Sequence, residues 1–375
     1  MSAIRDSLAR KRIAVCVGPG GVGKTTLAAA IGLERALEGG RILVCTVDPA
    51  RRLANALGLE ALGNVEAHVP DHKFREAGLE PRGQLFAMML DVKRTWDDLV
   101  ARHAPDHARR ERIYRNRIYQ QLSSALAGSQ EYMAMEKLYE LATERDYDLI
   151  VLDTPPTVHA LDFLEAPDRI LDFLDNEATR VLLTPALSAG KIGLRLFHMG
   201  SMYIARTLAR FTGVDLLAEL AEFMASFQGM YEGFKNRAAA VRALLAQGDV
   251  GFVIVSSASP RSVDEALYFH ERLHAESMPI AGMIANRVTT ELWPACAPLP
   301  EEDELAAALA LNGMPGLDLA ARLARTLSEH EILARADARE VSRLFKPVIG
   351  ARVVVPRLET DVHDLSGLAR LVASM

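Results

Sequence analysis

The chain has 375 residues, of which half are hydrophobic and a quarter are charged, a composition typical of globular proteins with a sizeable core. Its 43 Lys and Arg against 49 Asp and Glu give a net charge of −6, which argues against a nucleic-acid partner because such proteins carry a basic surface. No apolar run reaches the ~18 residues of a membrane span, and the N-terminus is polar. We therefore expect a soluble, cytoplasmic protein.

Short apolar runs rich in β-branched residues alternate with longer helical patterns along the chain. This alternation predicts an α/β fold in which a doubly wound, mostly parallel sheet is covered by helices on both faces. The predicted strands are 13–17, 42–47, 149–152, 181–183, 252–255, 280–284 and 352–355.

Two of the intervals between these strands are much longer than one crossover helix requires. The second and third strands are about a hundred residues apart, and the fourth and fifth about seventy, whereas a crossover needs only a dozen or more. Both intervals have helical patterns. We predict one domain over residues 1–375, with an α-helical subdomain built from insertions at about 93–145 and 188–245.

A phosphate-binding motif follows the first strand and leads into a predicted helix at 27–36. Its sequence fits G-x-x-x-x-G-K-[ST], and it reads Gly18, Pro19, Gly20, Gly21, Val22, Gly23, Lys24, Thr25 and Thr26. Backbone N–H groups from Gly20 onward would surround phosphate oxygens, Lys24 would add a positive charge, and the Thr25 hydroxyl would bind Mg²⁺. The segment Gly20 to Thr26 is thus predicted to contact a nucleotide.

Two aspartates follow predicted strands, Asp48 after the second and Asp153 after the third. In a doubly wound sheet the carboxyl ends of the strands face the same crevice as the phosphate loop. One aspartate could hold Mg²⁺ and the other could orient the attacking water, as phosphoryl transfer to water requires. The alternative is that either residue only caps the following helix.

Two further segments accompany the phosphate loop, Asp48-Pro49-Ala50-Arg51-Arg52-Leu53 and Asp153-Thr154-Pro155-Pro156-Thr157-Val158-His159. Together with the loop, they resemble the motifs of the ArsA family of P-loop ATPases. That family contains the arsenite-pump ATPase and the targeting ATPase for tail-anchored membrane proteins. The resemblance implies ATP hydrolysis with ATP and Mg²⁺, in a dimer that opens and closes to handle a hydrophobic client or a membrane partner.

The resemblance also implies roles for individual residues. Asp48 matches the aspartate that positions the hydrolytic water, and Asp153 matches the aspartate associated with Mg²⁺. Asn286 matches the asparagine that contacts adenine, with an ordinary turn residue as the alternative. Pro356, within the segment 355–362, belongs to the loop that closes over the base. Thr157 and His159 fall in the second switch region.

Three departures from the family pattern affect the expected partners. Pro19 replaces a lysine that reaches the partner's nucleotide, so Arg51, Arg52 or a paralogous subunit would have to compensate. Both a homodimer and a heterodimer stay open. Cys296 stands alone, so no zinc site is expected. The cysteines are scattered, which makes arsenite an unexpected effector because As(III) needs clustered thiolates.

The second insertion contains apolar stripes at helical spacing. They include Ile192, Leu196, Met199 and Tyr203, and then Leu216, Leu220, Phe223 and Phe227. Such stripes either pack the subdomain or form a groove for a hydrophobic helix, for which adaptable Met side chains are suited.

Two other functions remain as alternatives. A ParA/MinD-like positioning switch would bind membrane or DNA through a basic surface or a basic amphipathic C-terminal helix, but residues 364–372 contain only one arginine. An ATPase subunit of an anion exporter would require effector thiols.

Overall fold

The computed structural model describes residues 3–47, 52–104, 106–125, 129–154, 223, 231–294, 297–314 and 317–375. Its strands are β1 Ile13–Val17, β2 Arg41–Thr46, β3 Ala67–His68, β4 Gln84–Met89, β5 Leu149–Asp153, β6 Val250–Ser257, β7 Ile280–Val288 and β8 Ala351–Pro356. They form one sheet in the order β3-β4-β2-β5-β1-β6-β7-β8. Every pairing is parallel except that of β3 with β4, which confirms the prediction of a mostly parallel sheet.

Thirteen helices lie within the described residues. They are α1 Ala3–Leu8, α2 Lys24–Glu38, α3 Arg52–Ala56, α4 Asp71–Glu76, α5 Val92–His103, α6 His107–Arg115, α7 Arg117–Ala125, α8 Ser129–Glu144, α9 Tyr231–Leu245, α10 Pro260–Ala275, α11 Glu302–Leu311, α12 Leu317–Phe345 and α13 Leu365–Ala373. Across these parts of the chain, each helix is too short or too polar to cross a membrane.

The two faces of the sheet bury separate hydrophobic clusters, because alternate residues of a strand point to opposite faces. Ile13, Val15 and Val17 of β1 pack in one cluster with residues of α5, α8, α9 and α10. Ala14 and Cys16 pack in the other with residues of α1, α2 and α13. The chain is therefore a sheet covered by helices on both sides, as predicted for a doubly wound fold.

The predicted elements include no strand in the interval between β2 and β5, and the structure corrects this. β4 lies within it and pairs with β2 over six residues, from Arg41 with Gln84 to Thr46 with Met89, while β3 adds a short antiparallel edge. The sequence of β4, QLFAMM, contains Gln, Leu, Ala and Met, which favour helices. Burial of Leu85, Ala87 and Met88 against neighbouring elements outweighs that preference.

The predicted insertions are only partly described. Helices α5 to α8 occupy the first, between β4 and β5. The predicted strand 181–183 and most of the apolar residues of the second insertion, Met199 and Phe227 among them, lie outside the described residues. Helix α9, at the end of this insertion, is described. Phe223 is described and is 3% exposed within the core, so at this one position the apolar stripe packs the protein interior.

Candidate nucleotide site

The phosphate loop lies between β1 and α2, and β1 is flanked by β5 and β6 in the middle of the sheet. Gly23 caps α2 with φ at 95°, a left-handed conformation that favours glycine. A Cβ atom at Gly23 would also lie 2.5 Å from Nδ2 of Asn286. Both the backbone conformation and the close approach of Asn286 therefore require glycine at this position.

Lys24 begins α2 and its side chain is folded back over the loop. Its Nζ donates hydrogen bonds to the backbone oxygens of Gly18 and Pro19, both at 2.9 Å, and the residue is 6% exposed. The loop carbonyls thus hold the ammonium group inside the phosphate loop. A fixed cation at this point can attract phosphate oxygens.

Asp153, the last residue of β5, lies beside the start of α2. Its Oδ2 accepts hydrogen bonds from the hydroxyls of Thr25 at 2.6 Å and Thr46 at 2.7 Å, and the residue is 1% exposed. A hydroxyl and a carboxylate are the hard oxygen ligands that Mg²⁺ prefers. The donor set of Thr25 and Asp153 fits this metal.

Asn286 and Arg287 lie near the end of β7 and contact the phosphate loop. The Nδ2 atom of Asn286 donates to the backbone oxygen of Val22 at 2.8 Å, and Oδ1 accepts from the Arg287 backbone N–H at 2.9 Å. The Arg287 side chain donates to the backbone oxygen of Gly21 at 3.2 Å. Asn286 lines the predicted site, but the nitrogen and the oxygen of its side-chain amide both form hydrogen bonds with the protein backbone. Its contact with adenine therefore stays a prediction.

The loop opens into a cavity of about 800 Å³ that contains most of the predicted binding residues. The predicted residues along its wall are Gly21, Gly23, Lys24, Thr25, Thr26, Asn286 and Pro356. The segment that follows β8 forms another wall, and its Arg357 backbone N–H bonds the Val288 oxygen at 2.9 Å. The cavity is large enough for a nucleotide-sized ligand.

Several cavity residues were not predicted from the sequence. They are Asn55, Thr154, Arg287, His363 and Leu371. Five other lining residues belong to the predicted segment 355–362, namely Arg357, Leu358, Thr360, Asp361 and Val362. Arg287 directly follows Asn286, and this adjacency is the one signal in the sequence that could have identified it. Arg52, which was predicted only as a substitute for the lysine missing at Pro19, also lines the cavity.

Some predicted residues lie outside the described part of the chain. Asp48, Arg51, Thr157, His159 and Cys296 are among them. Of the two predicted aspartates, the structure places Asp153 beside the phosphate loop.

Cys16 and Cys45 are free and buried on opposite faces of the sheet. Burial raises the pKa of both thiols, that of Cys45 to about 12. Both thiols are therefore protonated near neutral pH, and their positions prevent them from binding one soft ion together.

Comparison with known proteins places the chain in a family. The family described as Anion-transporting ATPase matches residues 11–307. The ATPase GET3 of Malassezia globosa is 27% identical over 154 residues, which are 40% of this chain and 41% of that protein. An uncharacterised protein of Streptomyces coelicolor is 28% identical over 288 residues, 76% of this chain and 64% of that protein.

A second GET3-type relative, the ATPase GET3A of Arabidopsis thaliana, is 28% identical over 152 residues, 40% of this chain and 36% of that protein. The match to the fungal relative thus spans about two-fifths of that protein's length. The family match covers most of the present chain, from residue 11 to residue 307. The chain belongs to the ArsA family of ATPases.

Proposed function

We propose that this chain is a Mg²⁺-dependent ATPase whose nucleotide state controls a dimeric switch. The observation that carries the proposal is the hydrogen bond of 2.6 Å between Thr25 of the phosphate loop and Asp153 at the end of β5. It joins the hydroxyl and the carboxylate that phosphoryl transfer uses to hold a metal. Lys24 in the same loop supplies the cation.

Each residue has a defined part in the proposed reaction. Backbone N–H groups of the loop and Lys24 bind the β- and γ-phosphates, while Thr25 and Asp153 hold Mg²⁺. The metal, when bound, neutralises charge on the phosphate oxygens. Asp48 positions the water that attacks the γ-phosphate, a role that rests on the family resemblance.

The switch itself is supported by family membership and by sequence. We propose that the chain dimerises, with itself or with a paralogue, and acts in the cytoplasm. The helical subdomain from about 93–145 and 188–245 would bind a hydrophobic helix or a membrane protein. Support for this client comes from the apolar stripes of the second insertion and from the resemblance to the targeting ATPase group.

The two alternative functions have less support. Leu365, Leu368 and Leu371 of α13 are buried in the cluster that contains α2, so the apolar face of this helix is not available to a membrane. This disfavours a positioning switch of the ParA/MinD kind. The exporter alternative matches the words of the family description, but the described cysteines, Cys16 and Cys45, lie on opposite faces of the sheet.

Phosphate release from MgATP by the purified full chain tests the proposed activity. Lys24→Ala removes a charge from the bound phosphates in the ground state and in the transition state, so we expect turnover to fall at least ~100-fold and ATP affinity to fall with it. Lys73→Ala is the matched control, because Lys73 pairs with Glu76 on the surface. Equal turnover in the Lys24 variant and the wild type would contradict the proposal.

A further inference from the structure

Two residues near the end of β7 donate hydrogen bonds to two successive backbone carbonyl groups of the phosphate loop. Arg287 donates to the Gly21 oxygen at 3.2 Å and Asn286 donates to the Val22 oxygen at 2.8 Å. The orientation of the Asn286 amide is fixed, since the Val22 oxygen can only accept and the Arg287 backbone N–H can only donate. The two residues therefore act as donors to the loop.

These two hydrogen bonds fix which way the loop's N–H groups point. In a planar trans peptide the N–H points opposite to the C=O, and the described residues contain no cis peptide bond. With the carbonyls of Gly21 and Val22 turned toward β7, the N–H groups of Val22 and Gly23 are turned away from it. Successive N–H groups turned to one side form an anion-binding nest.

The backbone near the end of β7 is irregular in a way that permits these contacts. The register between β7 and β8 shifts between Ala285 and Val288, and such a shift redirects side chains away from the regular ladder. Arg287 has φ at 58°, an uncommon conformation for a residue other than glycine. A strained residue that reaches a functional loop is a reason to seek a role for it.

We propose that Asn286 and Arg287 are positioning residues for the phosphate nest, and that they act on the nucleotide through the N–H groups of Val22 and Gly23. Donors at the two carbonyls orient these N–H groups and polarise them, since hydrogen bonds in a chain strengthen one another. The role rests on the proposed function, because it assumes that the loop binds phosphates. It differs from base recognition, which would use the same amide on adenine.

Calorimetric titration with ATP and with inorganic triphosphate separates the two roles, because triphosphate has no base. We expect Asn286→Ala and Arg287→Gly to weaken both ligands by the same factor, roughly tenfold for each variant. Base recognition predicts that Asn286→Ala weakens ATP alone. That result, or wild-type affinity for triphosphate in both variants, would overturn the inference.

Replacing Arg287 by glycine separates the effect of losing the side chain from the effect of relieving backbone strain. Arg287→Gly removes the guanidinium and tolerates φ at 58°, so we expect an unchanged or higher melting temperature together with the loss of affinity. Arg287→Lys, which keeps a cationic donor, should recover part of the affinity. Loss of affinity accompanied by a lower melting temperature in Arg287→Gly, with no recovery in Arg287→Lys, would indicate a merely structural role and would contradict the inference.

Arg261→Ala is the matched control, because Arg261 is exposed on α10 and pairs with Glu265. It should bind both ligands as the wild type does. If the wild-type chain bound neither ATP nor triphosphate, the proposed function itself would fail. If it bound both and the variants lost only ATP, the proposed function would stand and the positioning role would fail.

Discussion

Two buried carboxylates, at the end of β5 and on α12, differ in the kind of hydrogen-bond donor that meets them. Asp153 accepts from the hydroxyls of Thr25 and Thr46. A hydroxyl is both donor and acceptor, so Thr25 can turn its proton away and offer a lone pair to a metal. The contacts of Asp153 can therefore change when a ligand binds.

Glu331 on α12 has partners that cannot change in this way. Its Oε1 accepts from the backbone N–H groups of Leu292 at 2.7 Å and Trp293 at 3.0 Å, and the residue is 1% exposed. Nearby on α12, Asp337 accepts from the Thr289 N–H at 2.8 Å. Backbone N–H groups only donate, so these acids fasten the segment after β7. The comparison teaches that equally buried acids can have different kinds of partner, one suited to the metal binding proposed for Asp153 and the other to stability.

The largest effect is expected from Asp153→Asn. Normal activity in this variant would contradict the contrast drawn between Asp153 and Glu331. The amide keeps an oxygen for the two threonine hydroxyls but loses the charge that we propose holds Mg²⁺, so we expect hydrolysis to fall roughly 100-fold or more. The melting temperature should change little. Single-turnover hydrolysis at saturating MgATP measures the effect.

Asp148→Asn is the control for that variant. Asp148 precedes β5 and accepts the Arg41 backbone N–H at 2.7 Å, at the opposite end of the strand from Asp153. The control should hydrolyse ATP at the wild-type rate. An equal loss in both variants would mean that the charge at Asp153 has no special part in the reaction.

Glu331→Ala should instead affect stability. It leaves two buried N–H groups without an acceptor, so we expect the free energy of unfolding to fall by about 2 to 3 kcal/mol. Glu331→Gln keeps an acceptor oxygen and should lose less. Denaturant titration gives the free energy, and ATP turnover measured well below the melting temperature should match that of the wild type. A variant of normal stability with slow turnover would place Glu331 in the reaction.

The smallest effect concerns Glu34, a buried acid on α2. Burial, and to a lesser extent the nearby charge of Glu38, raises the pKa of Glu34 from 4.5 to about 7, against the attraction of Arg5. Between pH 4.5 and about 7, Glu34 is therefore protonated to a greater extent in the folded state than in the unfolded chain. Glu34 therefore makes the folded state less stable as the pH rises from 4.5 to about 7, by on the order of 2 kcal/mol.

Glu34→Gln cannot ionise, so this part of the pH dependence should disappear and the variant should be more stable than the wild type at pH values above this window. Denaturant titrations across the window measure the change. Glu76→Gln, on the surface of α4, is the control and should keep the wild-type pH dependence. If the variant and the wild type had identical pH profiles, the Glu34 carboxyl of the wild type would ionise normally, and the prediction would be wrong.

The strongest parts of the prediction came from residues whose type is dictated by local chemistry. The glycines and Lys24 of the phosphate loop stand at fixed spacing after a β-branched strand, so their placement in one loop could be read from the sequence. Asp153 could be placed because parallel strands end at the same edge of the sheet. These relations depend only on local order along the chain.

What the sequence could not predict depends on long-range packing. β4 was missed because its preference for strand comes from pairing with β2, about forty residues earlier in the chain. The contact of Arg287 with Gly21 joins residues 266 positions apart, and a register shift at the end of β7 makes it possible. Nothing in the local sequence around Glu331 indicates which backbone N–H groups would donate hydrogen bonds to it.

Calorimetric titration of ATP with and without Mg²⁺ tests most directly whether Asp153 and Thr25 hold the metal. In the wild type and in Glu331→Gln, we predict that Mg²⁺ strengthens ATP binding by at least ~10-fold. In Asp153→Asn, we predict that most of this dependence on Mg²⁺ is lost while ATP still binds. The same dependence on Mg²⁺ in Asp153→Asn as in the wild type would contradict the assignment of Asp153 to the metal.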